Sequence, residues 1–357
     1  MTHMNKADMP TMLENEGIEA LLVTSPVNRR YVTGFTGTSG TVLVTATKMY
    51  LFTDFRYIEQ AAQQAPEVEV VETSQTPWTA IAHTLKALGL SRVGFEREHV
   101  TVEMYDALPK HDGIEWVGTT HLIGRKLRPY KTPEEILKIK RAAQLADEAF
   151  MHIVSLIKPG VTERELALEL KWFMEKRDAD GVAFDTIVAS GERGALPHGV
   201  ASNKKIRDGE LITFDFGALL DGYVSDITRT VAVGSVDPEL LKIYDTVLRA
   251  QERALAGIRA GVQAREIDRL ARSLIEEAGY GPRFGHSTGH GIGLEVHEWP
   301  ILSTRSEAVL EEGMVVTVEP GIYVPQLGGV RIEDDVLVTK DGYEVLTHAP
   351  KTLLVVG

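Results

Sequence analysis

The chain has 357 residues, of which 43% are hydrophobic and 25% charged, and its formal net charge is −13. This composition is typical of a globular enzyme with about two domains, and the acidic balance excludes a strongly basic nucleic-acid or anionic-membrane binder. The absence of cysteine excludes disulfides, thiolate metal sites and thiol nucleophiles. No secretory leader is visible in residues 1–10, and no run approaches the roughly 18 apolar residues of a membrane span. We therefore expect a cytoplasmic protein.

Short apolar runs alternate with helix-like segments over residues 18–119. Strands are predicted for "IEALLVT", "GTVLVTAT", "MYLFTD", "VEVVET", "RVGFE" and "IEWVG", and helices for "FRYIEQAAQQA", "PWTAIAHTLKALG" and "TVEMYDALP". This alternation predicts an α/β domain, which we assign to residues 1–128. The basic, proline-containing segment 125–131 is typical of a linker to a second domain, residues 129–357.

The second domain is predicted to open with a long helix. Thr132 and Glu135 have the spacing of a capping box, and apolar residues recur at intervals of three and four over residues 136–157. A Pro-Gly pair at residues 159–160 ends the pattern.

A faint internal repeat relates "KPGVTERELALEL", residues 158–170, to "RAGVQAREIDRLA", residues 259–271. Each copy follows a long predicted helix, begins another and precedes strands. Such a match can arise by chance. If it reflects the fold, the domain consists of two equivalent halves with a site between them.

The segment "LITFDFGALLDGYVSDITRTVAV" predicts a β-hairpin with a type I′ turn at residues 221–222. In that register Asp215 pairs with Thr228. Asp226 then lies diagonally on the same face, about 7–8 Å from Asp215 between Cα atoms. Two carboxylates on one partly buried face repel each other, and a cation would relieve the repulsion. The alternative is a solvated acidic face with the flanking phenylalanines buried behind it.

A second strand pair is predicted in "EEGMVVTVEPGIYVPQLGGVRIEDDVLVT", with Glu319 on one strand and Glu333 on the other. Three histidines lie between the two acidic pairs in the glycine-rich segment "GHSTGHGIGLEVHEWP". Four carboxylates and one histidine suit two divalent cations, with manganese, cobalt, iron and zinc as candidates. The sequence contains no G-x-S-x-G elbow, P-loop or H-E-x-x-H helix.

At these residues the chain resembles the proline-specific pita-bread metallopeptidases, which comprise Xaa-Pro aminopeptidase and Xaa-Pro dipeptidase. The resemblance rests on "HSTGHGIGLEVHE", "FDFGALLDGYVSDITRT", "VEPGIY" and "GVRIEDD", in the family's order, and covers nearly the whole chain. It implies a creatinase-like α/β domain followed by a catalytic pita-bread domain with pseudo-twofold halves, and hence an α/β (α+β) protein.

The resemblance also implies a metal-ligand set. Asp215 would bind one ion, Asp226 and Glu333 would bridge both ions, and His290 and Glu319 would complete the second. The family implies a water or hydroxide between the metals as the nucleophile, with Glu319 moving its proton. Manganese is the expected ion, and cobalt, zinc and iron are alternatives.

Further roles follow from the same resemblance. His297 would donate to the scissile carbonyl or the developing oxyanion, and His198 would bind substrate near the scissile bond. His286 would line the pocket, Arg331 would orient Glu333, and the Thr228 hydroxyl would donate to a ligand carboxylate.

The resemblance predicts hydrolysis of the bond between an N-terminal residue and proline. We expect an Xaa-Pro aminopeptidase, with Xaa-Pro dipeptidase as the alternative. Methionine aminopeptidase lacks an N-terminal domain of this size, and creatinase and metal-free binding modules lack the metal ligands. The resemblance also implies a homodimer, and residues 25–37 and 53–57 are the candidate segments for contributing to it; by themselves these segments predict a loop and a strand end.

Overall fold

A computed structural model of the protein describes residues 8–74, 76–110 and 113–357. Residues 1–7, part of the segment in which no secretory leader is visible, lie outside these ranges. The chain divides into two compact units, Met1–Arg128 and Pro129–Gly357. Within the part of the chain that the structure describes, no helix combines the length and the hydropathy that a membrane span requires.

The first unit contains a six-stranded sheet with both parallel and antiparallel pairs. Its strands are β1 Ala20–Val23, β2 Thr41–Thr45, β3 Met49–Thr53, β4 Glu69–Glu72, β5 Arg92–Glu96 and β6 Glu115–Thr119. They lie in the order β4-β3-β2-β1-β5-β6. The six predicted strands are all confirmed, because short apolar runs between polar turns define strands clearly.

The helices of this unit are α1 Met9–Asn15, α2 Pro26–Thr33, α3 Ile58–Gln64, α4 Trp78–Leu88, α5 Val102–Ala107 and α6 Leu122–Lys126. The prediction of a loop over residues 25–37 is wrong, since α2 lies there. Ser25 caps this helix by accepting from the backbone N–H of Asn28, Pro26 occupies its first turn, and Gly34 ends it with a φ of +81°.

The predicted linker is also more ordered than a linker. Helix α6 overlaps its start, and both Arg128 and Lys131 are buried. The Nζ of Lys131 lies 3.2 Å from Oε2 of Glu298, and both side chains are almost fully enclosed. A buried ammonium group needs such a partner, and the basic composition of the segment did not reveal it.

The second unit has four main helices: α7 Pro133–Val154, α8 Glu163–Glu175, α9 Pro238–Leu255 and α10 Ala264–Glu277. The capping box predicted between Thr132 and Glu135 is present in both of its hydrogen bonds. Side chains of α7 are buried at the predicted three-four spacing, from Ile139 to Ile153. Thr162 and Glu165 form a second capping box at the start of α8.

The strands of this unit form four sheets. They are β7 Gly181–Val182, β8 Ile187–Ser190, β9 Leu211–Phe216, β10 Ala218–Leu220, β11 Tyr223–Val224, β12 Ile227–Val233, β13 Gly289–Gly291, β14 Glu298–Leu302, β15 Val315–Val318, β16 Gly321–Val324, β17 Gly328–Arg331, β18 Asp334–Val338, β19 Tyr343–Val345 and β20 Val355–Val356. The main sheets have the orders β20-β12-β9-β8 and β14-β13-β15-β18-β19, and the smaller ones β11-β10-β7 and β16-β17.

The internal repeat corresponds to two equivalent halves. Gly160 and Gly261 both have positive φ, at 97° and 87°, and each precedes the shorter helix of its half. The N–H of Gly160 donates to the carbonyl of Ile206, and that of Gly261 donates to Leu310 in the same way. Each half then continues into an antiparallel strand pair, so the predicted pseudo-twofold architecture is confirmed.

Candidate active site

The first acidic strand pair is formed by β9 and β12. Its register pairs Asp215 with Thr228, as predicted. Residues 221–222 have φ values of 51° and 74°, which a type I′ turn requires. Asp226 lies just before β12 and is buried, whereas Asp215 is half-buried. The local sequence thus directs both carboxylates to one side of the hairpin.

The second acidic strand pair is interrupted at the positions of its two acids. Between β15 and β16 on one strand, and between β17 and β18 on the other, the ladder is broken for two residues. Glu319 and Glu333 occupy these breaks. The N–H of Glu319 donates to the carbonyl of Thr288 at 2.7 Å, and that of Glu333 donates to Thr228 at 3.1 Å. These bonds tie the second pair to the histidine segment and to the first hairpin.

His290 lies on β13, between β14 and β15. Its backbone N–H donates to the Thr317 hydroxyl at 3.1 Å, and its Nδ1 lies 3.0 Å from the carbonyl of Gly291. Because a carbonyl only accepts, Nδ1 carries the proton. The lone pair of Nε2 is then free for a cation when the ring is neutral.

The side chains of the two halves converge around this nitrogen. Nε2 of His290 lies 3.2 Å from a Glu319 oxygen and 3.8 Å from an Asp226 oxygen. Ligand atoms of Asp226, His290 and Glu333 all lie within 4.8 Å of one another. The structure therefore brings together residues from three separate segments, 215–226, 286–297 and 319–333.

Arg331 contacts the cluster differently from the prediction. Its guanidinium forms an ion pair with Asp215 and donates through Nε to the Thr228 hydroxyl at 3.1 Å. That hydroxyl donates to Glu333 at 2.6 Å. Arg331 thus holds Asp215 directly and acts on Glu333 through Thr228, which confirms the predicted bond from Thr228 to a carboxylate.

Burial concentrates negative charge at the centre of the cluster. Burial, and then the charge of Glu333, raises the pKa of Asp226 well above its usual range. The pKa of Glu333 is raised in the same way, by burial and then by Glu319 and Asp215. Burial also acts to raise the pKa of Glu319, but hydrogen bonding and charge from His290 prevail and lower it to about 2. Without a cation, it therefore costs free energy to keep all of these acids ionised.

Two of the three other predicted histidines, His297 and His198, lie at the exposed side of the cluster. The ring of His297 contacts that of His290, with 4.4 Å between centroids and 66° between planes. Burial, and then the charge of His290, lowers the pKa of His297, and His198 contributes in the same direction. His198 itself is exposed. Both are accessible to a molecule that approaches the carboxylates.

His286 is bonded into the network around Arg331. Its Nε2 lies 2.8 Å from the hydroxyl of Tyr323, which also accepts from Arg331 at 2.8 Å. Its Nδ1 donates to the carbonyl of Ser287 at 2.7 Å. Burial is the main reason why the pKa of His286 is lowered. A neutral ring that accepts the Tyr323 proton satisfies all these contacts.

Sequence reasoning missed two residues of this site. Asp335 accepts from the backbone N–H of Asp226 at 2.9 Å, and Thr317 donates to Glu319 at 3.3 Å. Each lies two residues from a predicted ligand. The period of two in a strand, which places such residues on the same face, would have indicated both.

Comparison with known proteins gives the family. Residues 137–340 match metallopeptidase family M24, and residues 10–129 match the Creatinase/Prolidase N-terminal domain. The chain belongs to metallopeptidase family M24. An Xaa-Pro dipeptidase of Pyrococcus furiosus is 41% identical over 96% of this chain and 97% of its own length.

Solved structures of M24 relatives match over almost the entire chain. An Xaa-Pro dipeptidase from Bacillus anthracis is 50% identical, with a TM-score of 0.95 over 98% of this chain and 99% of that one. An X-Pro aminopeptidase from Thermotoga maritima is 40% identical, with a TM-score of 0.89 over 99% of both chains. These matches confirm the expected combination of a creatinase-type domain and a pita-bread domain.

The residues of this M24 chain fit a bound metal. Among the residues that the structure describes, three buried carboxylate oxygens have no hydrogen-bond partner: Oδ1 of Asp226, Oε1 of Glu333 and Oδ1 of Asp335. Buried polar atoms without partners are rare in proteins. Carboxylate oxygens and one imidazole nitrogen are also ligands that divalent cations accept, and a cation would offset the raised pKa values of the acids.

We expect Thr228→Val to weaken metal binding by roughly tenfold, because Glu333 loses its hydroxyl donor and Arg331 loses an acceptor. The affinity for Mn²⁺ would be measured by competition with a chelator. Thr246→Val is the control, since Thr246 is also buried but bonds to a helix carbonyl in α9. Equal affinities of the two variants for Mn²⁺ would contradict a role of Thr228 in holding the carboxylate of Glu333.

Proposed function

We propose that the protein is a metal-dependent Xaa-Pro dipeptidase that holds two divalent cations with Asp215, Asp226, His290, Glu319 and Glu333. The observation that carries this proposal is the buried carboxylate and imidazole cluster with unpartnered ligand oxygens. The names of relatives that are 41% and 50% identical support the substrate class.

The choice between the two Xaa-Pro activities differs from the sequence expectation. The resemblance covers both activities and our expectation from the sequence is an aminopeptidase, but the Pyrococcus furiosus and Bacillus anthracis relatives are both Xaa-Pro dipeptidases. The comparisons therefore support the dipeptidase better. The X-Pro aminopeptidase of Thermotoga maritima, at 40% identity, keeps the aminopeptidase as the second candidate.

Cations in this site would act as Lewis acids on the scissile carbonyl and make water a stronger nucleophile at neutral pH. The pKa of Glu319 lies below its usual range, so its carboxylate is ionised at neutral pH. It can take a proton from the attacking water and return it to the leaving amine. Arg331 holds the carboxylate of Asp215 by its ion pair, so that this group keeps its position while charge changes nearby.

The histidines act on the substrate in this proposal. His297 has a lowered pKa, so its ring is neutral at pH 7 and donates one hydrogen bond to the carbonyl oxygen as negative charge develops. His198, exposed beside it, binds the peptide near the scissile bond. His286, held by Tyr323, lines the pocket on the side of Arg331.

Manganese is the proposed native ion, because hard carboxylate oxygens predominate among the ligands and one imidazole completes them. Cobalt, zinc and iron are the alternatives. The homodimer and the cytoplasmic location stay predictions of the sequence.

A comparison of three peptides tests the substrate proposal. With Mn²⁺ added, we expect Gly-Pro to be hydrolysed with a kcat/KM at least about tenfold above that of Gly-Pro-Ala, and Met-Ala-Ser to be left intact. Amino-acid release would be followed by chromatography, with a chelator-treated sample as the control. Preference for Gly-Pro-Ala would favour the aminopeptidase, and cleavage of Met-Ala-Ser alone would exclude both proline-specific activities.

A further inference from the structure

Two fully buried acids outside the metal-ligand set lie on the shorter helices of the two halves. Glu163 is the first residue of α8, and Asp268 lies in the second turn of α10. The hydrogen bonds of both acids go to residues outside the cluster of proposed ligands. A buried carboxylate is costly unless several donors surround it, so the partners of each acid indicate what it holds.

Glu163 receives five hydrogen bonds, all from one segment. Ser190 donates its N–H and its hydroxyl to Oε1, both at 2.9 Å. Ser202 donates its N–H at 3.0 Å and its hydroxyl at 2.6 Å to Oε2, which also accepts from Arg193. Arg193 in turn donates to the carbonyl of Val200 at 2.8 Å. These bonds close residues 190–202 into one loop, here called the His198 loop.

Asp268 is surrounded in the same way. Thr288 donates its N–H at 3.2 Å and its hydroxyl at 2.9 Å to Oδ1. Arg272 forms a two-bond pair with the carboxylate, at 2.8 and 2.9 Å. The same arginine donates to the carbonyls of Phe284 and His286, at 2.9 and 2.8 Å. These contacts hold residues 284–288, here called the His286 loop.

The two arrangements share a chemistry but not a position in the repeat. In each, a buried carboxylate accepts hydrogen bonds from both the N–H and the hydroxyl of a serine or threonine. It also accepts from an arginine, which in turn donates to a backbone carbonyl of the same loop. The repeat aligns Gly160 with Gly261, so Glu163 corresponds to Ala264 and Asp268 corresponds to Ala167. The acids therefore do not preserve one ancestral contact; each is placed where its own loop needs it.

Helix capping does not explain the acid of the first half. The start of α8 is already capped by Thr162 and the exposed Glu165. All side-chain bonds of Glu163 go to the His198 loop instead. A buried ionic network of this kind restricts its members to one arrangement.

Both loops border the candidate active site. In the His198 loop, Gly194 packs so closely on Gly329 of β17 that a Cβ on Gly329 would lie 2.1 Å from the Gly194 carbonyl oxygen. The strand β17 ends at Arg331. In the His286 loop, the carbonyl of Thr288 accepts the N–H of the ligand Glu319. A shift of either loop would move the histidine that it carries.

We propose that Glu163 and Asp268 are positioning residues, one in each half, that hold His198 and His286 where the peptide binds. The inference rests on the proposed function for the roles of the two histidines. It predicts that each acid acts on catalysis through its own histidine and not through the other.

Crossed double-mutant cycles test this pairing. Glu163→Gln should lower kcat/KM by about tenfold in the wild-type background and by less than about twofold in a His198→Ala background, with the content of bound Mn²⁺ unchanged. Asp268→Asn should couple in the same way to His286→Ala. The crossed pairs, Glu163→Gln with His286→Ala and Asp268→Asn with His198→Ala, should be additive.

Glu165→Gln is the matched control, because Glu165 lies on the same turn of α8 as Glu163 but is exposed. The side-chain amide oxygen of the glutamine can still accept the hydrogen bond that caps the helix. The kcat/KM of this variant should equal that of the wild type. Equal losses from Glu163→Gln in the wild-type and His198→Ala backgrounds would overturn the proposal, since they would reveal a general effect on the fold. Should Glu163→Gln not fold, Ser202→Ala removes one hydroxyl donor and should show the same coupling to His198 with a smaller loss.

Hydrogen exchange gives a readout that needs no activity. In Glu163→Gln, amides of residues 190–202 should exchange at least about tenfold faster, while those of residues 284–288 keep their wild-type rates. Asp268→Asn should show the reverse. Equal acceleration in both loops, or none, would overturn the proposal. Lack of cleavage of any Xaa-Pro peptide by the wild type would reject the proposed function and leave this exchange result as the test of the positioning role.

Discussion

Asp226→Asn is expected to lose bound metal and at least about a thousandfold in kcat/KM. Asp226 offers a buried carboxylate oxygen with no hydrogen-bond partner, close to His290 and Glu333. An amide has no negative charge to balance a cation, and Lewis-acid catalysis contributes several kcal/mol to the rate. Metal content would be measured by atomic emission, and peptide hydrolysis in parallel.

Asp221→Asn is the matched control for this variant, because it makes the same change in the turn of the same hairpin. Asp221 is exposed and has a φ of 51°, which asparagine tolerates. Its metal content and kcat/KM should be those of the wild type. Full activity in Asp226→Asn, or in wild-type enzyme stripped of all metal, would reject the dimetal proposal.

The stability of the metal-free proteins gives a second measurement. Burial and the charge of Glu333 raise the folded-state pKa of Asp226 above 3.8. At a pH below 3.8, Asp226 is protonated in both the folded and the unfolded chain. As the pH rises, the unfolded chain loses this proton first, so the folded state loses stability relative to the unfolded state. Metal-free Asp226→Asn lacks this cost. We expect its Tm to exceed that of the metal-free wild type by a few °C at about pH 7, and the difference to vanish near about pH 3.5.

His297→Ala is expected to lower kcat by roughly a hundred- to a thousandfold while the metal content stays intact. His297 is not among the proposed ligands, and its neutral ring contacts that of His290 from the exposed side of the cluster. A donor to the developing oxyanion stabilises the transition state more than the bound peptide, so its loss lowers kcat more than it raises KM.

His348→Ala controls for the removal of an imidazole, since His348 is exposed and donates to Asp147 through its backbone N–H. It should leave kcat unchanged. For His297→Ala, steady-state kinetics on Gly-Pro would be combined with metal analysis of the same samples. An unchanged kcat would reject the proposed role of His297, and loss of metal would make it a ligand-supporting residue instead.

Much of the local structure follows from short sequence patterns. The Asp-Gly turn at residues 221–222 requires positive φ at both positions, and this sets the register that pairs Asp215 with Thr228. The capping box of Thr132 and Glu135 marks the start of α7 in the same way. These signals are readable because all the interacting groups lie within a few residues or a single hairpin.

The site required more than local patterns. The alternation of side chains along the hairpin puts Asp215 and Asp226 on one face. It leaves open whether that face contacts solvent or a cation. The second strand pair made Glu319 and Glu333 candidates, and the resemblance to a metallopeptidase family assigned them and His290 as ligands, although they lie 64 or more residues further along the chain. No periodicity spans such a distance, because contacts between separate segments depend on how sheets and helices pack.

Three features were decided by the tertiary structure alone. Arg331 pairs with Asp215 rather than with its sequence neighbour Glu333, the side chain of Lys131 is buried, and two enclosed acids each hold a histidine loop. The sequence by itself determined strands, turns, caps and the two-half repeat, since these depend on near neighbours. Which partner neutralises a buried charge depends instead on distances between remote segments, and those exist only in the folded chain.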